Sequence, residues 1–359
     1  GHVGKGNKKP SSSCCNPQKL KLPCGYGKTI VAVQVIQQTL FASKLGKCVV
    51  FVPTLVLLDQ WADICTARGM IVQRVGTGHN QEPIDEHANL LLCVYPSAHR
   101  LQSMPWTLAI VDEAHHIYAA KEYEEGSLAE DTVFRRCFQN MNIEKRLLMS
   151  ATLNDPHFEV TLQEAIEETV LCDYRIHVAT FSTNPSFTQI AGFLSSHSHQ
   201  FGKILAYSNR RNTAERFRDA CREKGILAEY FDGETPPRQR RMVLREFEEG
   251  RWQLLSTVNT IGEGVDLPSA DTCLFVEPRQ SEVSIIQAVG RVLRQCPRSG
   301  KTIGHIVIVQ SVQGTYDQRV IRVLHRYDPR IYQSFRHHKQ THGESYSAYV
   351  DVISNDVEE

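Results

Sequence analysis

Two groups of residues in this chain have the types and spacing of phosphate chemistry. The first is Leu22-Pro23-Cys24-Gly25-Tyr26-Gly27-Lys28-Thr29. Backbone N–H groups can approach an anion closely only where no side chain intervenes, which is the use of Gly25 and Gly27 on either side of Tyr26. Lys28 supplies a cation for the β- and γ-phosphates, and the Thr29 hydroxyl supplies a magnesium ligand. Leu22 stands where the general pattern has a first glycine, so the loop alone also reads as a glycine turn before a helix. The second group is Asp112-Glu113-Ala114-His115, which closes the apolar run Thr107–Val111. Carboxylates at the carboxyl end of a buried strand lie where open α/β sheets bind ligands. Asp112 can hold magnesium directly or through water, and Glu113 can orient and deprotonate an attacking water. Taken alone, this segment is also an acidic helix start. Together the two groups point to hydrolysis of a nucleoside triphosphate.

These residues need strands that end in loops and helices that begin there. Short apolar runs at Val49–Val52, Leu90–Val94, Leu108–Val111 and Leu147–Met149 alternate with helical stretches, the signature of a parallel sheet covered on both faces. A second series follows from Lys203, with strands at Ile204–Tyr207, Ala228–Phe231, Gln253–Ser256, Thr272–Val276 and Ile306–Val309. Its helices are predicted at about 212–224, 237–249 and 283–293. The stretch between the halves reads as one helical run, Leu162–Thr169, and a Ser/His/Asn-rich loop. The 359 residues suit two domains, each with its own core. The predicted division is a flexible N-terminal extension over 1–19, an ATP-binding domain over 20–180, a second domain over 181–328 and a polar tail over 329–359.

Composition narrows the function classes. Hydrophobic residues make up 41% and charged residues 22%, as in ordinary globular proteins. No run approaches the ~18–20 apolar residues of a membrane span, so no membrane association is expected. Eleven cysteines are scattered and odd in number, which favours a reducing, intracellular setting over a disulfide framework. Lys+Arg and Asp+Glu balance at 40 each, so any nucleic-acid binding must use a local groove.

The motifs, in order, resemble those of the superfamily 2 helicases and translocases. LPCGYGKT resembles motif I, VPTLVLLDQW (Val52–Trp61) motif Ia, DEAHH (Asp112–His116) motif II and SAT (Ser150–Thr152) motif III. ILAYSN (Ile204–Asn209) resembles motif IV, STVNTIGEGVDLPSAD (Ser256–Asp271) motif V and QAVGRVLR (Gln287–Arg294) motif VI. The phrase AIEETVLCDY (Ala165–Tyr174) is similar to the group related to type III restriction-enzyme motor subunits. The resemblance covers roughly residues 20–310. It implies two tandem RecA-like domains, each a mainly parallel sheet flanked by helices, with ATP and Mg2+ bound where they meet.

The resemblance also implies roles. Gly25, Tyr26, Gly27, Lys28 and Thr29, with Gly264 and Asp266 of motif V, would contact nucleotide; Thr29 and Asp112 would hold magnesium. Glu113 would activate water. Gln287, Arg291 and Arg294, at i, i+4 and i+7 on one predicted helical face, would stabilise charge on the γ-phosphoryl group, which requires the two domains to close. His115, Ser150 and Thr152 would couple phosphate loss to movement; Ser and Thr there could instead cap a loop. Pro53 and Thr54, Ser208 and Asn209, and Thr257 would face a sugar–phosphate backbone. Trp61 reads as a packing anchor. Gln18 is the one glutamine upstream of the loop, where relatives place a glutamine that reads adenine. DNA is favoured over RNA as the partner, and protein partners in a larger complex fit the same pattern. Two other readings share these residues: a translocase of a restriction, repair or remodelling complex that never separates strands, and a truncated non-enzymatic nucleic-acid-binding protein.

Overall fold

Strands buried on both faces read as unbroken apolar runs, and the chain is built on them. Cys48–Val52, Leu90–Val94 and Ile204–Ser208 are buried at every position. The structure, a computed structural model, describes residues 16–43, 45–76, 83–85, 87–118, 128–258, 265–279, 281–311, 319–331 and 350–355. The chain divides into two compact units, one within residues 1–20 and 29–157, the other within 21–28 and 158–359.

The first sheet uses β1 (Gln18–Lys21), β2 (Cys48–Val52), β3 (Gln73–Val75), β4 (Leu90–Val94), β5 (Trp106–Val111), β6 (Ile143–Ser150) and β7 (Phe158–Glu159). Their order is β3-β4-β2-β5-β6-β1-β7. β2 runs parallel to β4 and β5, and β5 runs parallel to β6, with Phe51 opposite Val111 and Val111 opposite Leu148. That register ends β2, β5 and β6 at one edge, so Pro53-Thr54, Asp112-Glu113 and Ser150-Ala151-Thr152 leave the sheet side by side. Phe51, Tyr95, Trp106, Phe134 and Phe138 fill the core on one face.

The second sheet uses β8 (Asp173–Phe181), β9 (Ile204–Ser208), β10 (Ala228–Phe231), β11 (Leu254–Val258), β12 (Thr272–Phe275), β13 (Ile303–Ser311) and β14 (Val350–Asn355). Their order is β10-β11-β9-β12-β13-β8-β14, and every pair is parallel. Phe181, Phe193, Phe201 and Phe217 pack beneath it.

Four boundaries differ from the sequence expectation. The first unit ends at His157 rather than at 180, because β8 pairs along all nine residues with β13 and so belongs to the second sheet. The expected loop before 201 contains that strand and the helix Phe187–Ser196, opened by a capping box of Ser186 and Gln189. Residues 18 and 19 lie in β1 rather than in an extension; residues 1–15 fall outside the described residues. Within the predicted tail, Ile331 is buried and β14 pairs with β8, while 332–349 and 356–359 fall outside the described residues. Ahead of that segment Asp328 is fully buried, accepting from the Tyr174 hydroxyl at 2.9 Å and pairing with Arg330 at 2.7 Å.

Candidate active site

Chain reversal at the end of β5 sets the geometry of the first group. The Ala114 N–H donates to the Met149 carbonyl of β6 at 2.9 Å, which ties the turn to the neighbouring strand. Glu113 then adopts φ 49°, in the left-handed region that non-glycine residues rarely occupy. Such strain collects where a side chain must be aimed rather than merely placed. Asp112 is buried; its Oδ2 accepts from the Trp61 indole N–H at 2.9 Å and its Oδ1 from the Glu113 N–H at 3.0 Å. The Tyr95 hydroxyl donates to the Asp112 carbonyl.

The Glu113 carboxylate meets a small polar network. Its Oε2 lies 3.3 Å from His115 Nδ1 and 3.5 Å from Ser150 Oγ. His115 Nδ1 and Ser150 Oγ share a hydrogen bond of 2.8 Å, and Ser150 also accepts from the Thr152 N–H at 3.3 Å. His115 and Ser150 are buried, so this network is fixed by packing. The arrangement sets the buried Asp112 carboxylate beside a second, Glu113, that is aimed and held, as proton abstraction from water requires.

The phosphate-loop candidate lies within the second unit. The Tyr26 N–H donates to the Pro23 carbonyl at 3.2 Å, and Gly25 and Gly27 have φ of +89° and +99°. A Cβ on Gly25 would stand 2.9 Å from Arg294 Cγ and 3.1 Å from Leu171 Cδ2. Glycine is therefore required both by conformation and by the approach of Arg294. Gly290 does the same for Cys24, whose Cβ would be 2.4 Å from a side chain there. Lys28 Nζ donates back to the Leu22 carbonyl at 3.3 Å. The Tyr26 hydroxyl donates to Glu168 at 2.7 Å, and that bond holds its pKa above the usual value. A concave run of left-handed glycines ending in a lysine, and a buried carboxylate with two donors already orienting it, suit a triphosphate and a hard divalent cation respectively.

The comparisons follow this order of parts. The model of the type III restriction enzyme res subunit matches residues 16–155, and that of the helicase conserved C-terminal domain matches 186–296. The chain belongs to the superfamily 2 helicases and translocases. A curated relative, UvrABC system protein B of Aromatoleum aromaticum, is 24% identical over 177 residues, which are 47% of this chain and 25% of that protein. The chain thus spans about a quarter of the length of that curated relative. The type ISP restriction-modification enzyme LlaBIII bound to DNA superposes with a TM-score of 0.73 at 17% identity, covering 95% of this chain and 30% of that one. Dbp5 of S. cerevisiae bound to RNA and ADP BeF3 gives 0.62 at 13% identity, covering 95% and 86%. At these identities the two structures show the fold.

Against the superfamily 2 pattern, the structure brings Asp112, Glu113, His115, Ser150 and Thr152 together at one sheet edge. It also lays the 22–28 loop against residues 290–294. Other placements differ from expectation. The motif VI helix is Glu282–Val292, so Arg294 lies beyond it, in a bridge to Leu171, and does not share a helical face with Gln287 and Arg291. Gln287 and Arg291 are buried, and Arg291 Nη1 donates to the Val265 carbonyl of motif V. Arg294 pairs with Asp266, joining two residues expected to face nucleotide separately. Ser208 and Thr257 are buried and cannot face a nucleic-acid backbone. Asn209 is exposed, with its N–H on Glu277 at 2.7 Å and its amide on the Pro278 carbonyl at 3.1 Å. Thr54 caps the helix Leu55–Ala67 by accepting from the Leu57 N–H at 3.3 Å, and Pro53 precedes it half-buried. Gly262 and Gly264 lie outside the described residues.

Sequence reasoning missed three contributors. Trp61 packs as expected but also orients Asp112. Tyr95 anchors the turn, and Arg279, buried, donates to the Ser208 carbonyl at 3.0 Å. Trp61 closes the motif Ia segment, while Tyr95 and Arg279 lie in no quoted motif, and no spacing announces any of these bonds.

Proposed function

We propose that this chain is an ATP-hydrolysing motor whose turnover is driven by nucleic acid, with helicase or translocase output. The observation that carries the reading is Glu113, strained into the left-handed region and held by His115 and Ser150 beside the buried Asp112. Gly25, Tyr26, Gly27 and Lys28 bind the triphosphate through backbone N–H groups and the ammonium. A magnesium ion, held by Asp112 and Thr29, would supply positive charge to the phosphate oxygens when bound. Glu113 takes the proton of the attacking water. Arg294, already alongside Gly25, stabilises charge on the γ-phosphoryl oxygens. Arg291 positions motif V by its bond to the Val265 carbonyl. His115 and Ser150 pass the loss of the γ-phosphate to the rest of the fold.

DNA is the strand we assign, since both the matched N-terminal family and LlaBIII belong to restriction enzymes and LlaBIII is bound to DNA. Translocation without strand separation suits the same likeness. ATP and nucleic acid as substrates set the protein inside the cell; among the described residues no helix is long and apolar enough to cross a membrane.

Glu113→Gln tests the reading. The amide keeps the shape of the carboxylate but cannot accept a proton, so nucleotide binding should persist while turnover falls by roughly 10²-fold or more. Turnover within about twofold of the parent would remove Glu113 from the role of base.

A further inference from the structure

The motor motifs leave one strongly charged surface unused. The helix Pro237–Glu248 follows β10, an edge strand of the second sheet, and buries only Val243 and Phe247 against it. Arg238, Arg241 and Arg245, spaced by three and four residues, occupy the opposite face and are exposed. Arg240 turns inward instead, donating to the Gly233 and Thr235 carbonyls at 3.1 and 3.3 Å.

The nearby carboxylates are already committed. Asp232 accepts from the Tyr230 hydroxyl at 2.8 Å and from Arg211 Nε at 3.0 Å, and Glu234 pairs with Arg211. Glu246 holds Arg251 and Trp252 at 3.1 and 3.0 Å, and Glu248 accepts from Ser269 at 2.8 Å. Glu249 approaches Arg245 only to 3.7 Å, with both side chains largely in water. Arg238 and Arg241 make no ion pair or hydrogen bond among the described residues. The first turn of the helix has no acidic residue, and Arg238 there opposes the helix dipole, whereas Arg245 in the last turn is favoured by it. On a chain of zero formal net charge, the row is a local excess of positive charge.

From Arg238 to Arg245 the helix rises ~10 Å. That is the axial length of about three nucleotides of a duplex strand. The row begins at the carboxyl edge of the sheet, where β9, two strands from β10, ends at Ser208 ahead of the exposed Asn209 and Arg210. We infer that Arg238, Arg241 and Arg245 form an auxiliary phosphate-backbone site that holds the DNA flank leaving the motor, outside the motif contacts. A regular run of phosphates matches the regular row of guanidiniums, which favours nucleic acid over an acidic protein.

The inference rests on the motor reading, and the experiment separates the two. Binding of a short oligonucleotide and of a longer duplex is measured against salt for the parent, Arg238→Glu/Arg241→Glu and Arg238→Gln/Arg241→Gln, with poly-glutamate as a competitor. All three should melt alike, since the positions are exposed. For the long duplex, losing two phosphate contacts should reduce the log–log salt slope by about 1.8, with no change for the short oligonucleotide. Equal slopes for parent and variants on the long duplex overturn the auxiliary site alone. Loss confined to poly-glutamate binding also overturns it, in favour of an acidic partner. A parent that binds neither length overturns the motor reading and this inference with it.

Discussion

Two arginines that the sequence treats alike occupy different environments, and their removal should separate. Arg291 is buried and bonded to a backbone carbonyl. Truncation leaves that carbonyl unpaired and should cost about 1–3 kcal/mol of stability along with activity. Arg294 is half-buried, lies against Gly25 and pairs with Asp266 at the surface. Arg294→Ala should keep the melting temperature and nucleotide affinity while lowering turnover by roughly 10²-fold or more. Equal loss of affinity and turnover in Arg294→Ala would make it a ground-state ligand. Ser150→Ala probes the network beneath Glu113. It removes the shared bond with His115, costing about 1 kcal/mol. Turnover should slow roughly fivefold if that bond steadies the base. Unchanged turnover with a lowered melting temperature would confine Ser150 to a structural role.

At the level of elements, the sequence shows most clearly those parts whose pattern is local. The helices Arg211–Glu223, Pro237–Glu248 and Glu282–Val292 fall within a residue or two of their predicted limits because Pro, Gly and apolar spacing mark them. β8 was hidden because Arg175 and His177 interrupt its apolar run, and what makes His177 acceptable inside is distant. Its Nε2 meets His305 Nδ1 of β13 at 3.0 Å, and its ring packs edge-on to Phe201. The site follows the same rule. Motifs II and III were legible from their order, whereas the Trp61–Asp112 bond joins residues 51 positions apart and no spacing announces it. The histidine pair also predicts a pH response. Burial first, then His305 and the nearby Arg175 and His197, push the His177 pKa down from 6.5 to about 4. The unfolded chain therefore takes up a proton that the folded chain refuses. Its contribution is complete above pH 6.5 and is lost as pH falls toward about 4, by up to about 3 kcal/mol. Urea denaturation at about pH 7.5 and about pH 5 should show this loss, and His177→Phe should reduce it. An identical pH dependence in the variant would place the acid sensitivity elsewhere.

At the scale of the whole molecule, the chain carries no net charge, so a nucleic-acid partner must be held by a few local phosphate contacts rather than by a general field. On the proposed reading those contacts are to backbone rather than bases, so binding should be indifferent to sequence and sensitive to salt. In each sheet the loops that carry the quoted motifs leave from carboxyl edges, where open α/β sheets bind ligands. The direct test is the steady-state ATPase rate at low salt, with and without DNA. The account predicts a low basal rate that rises on adding DNA of unrelated sequences and declines again as salt increases. A robust basal rate that responds to neither DNA nor RNA at low salt would contradict it, and would assign the energy of hydrolysis to some other partner.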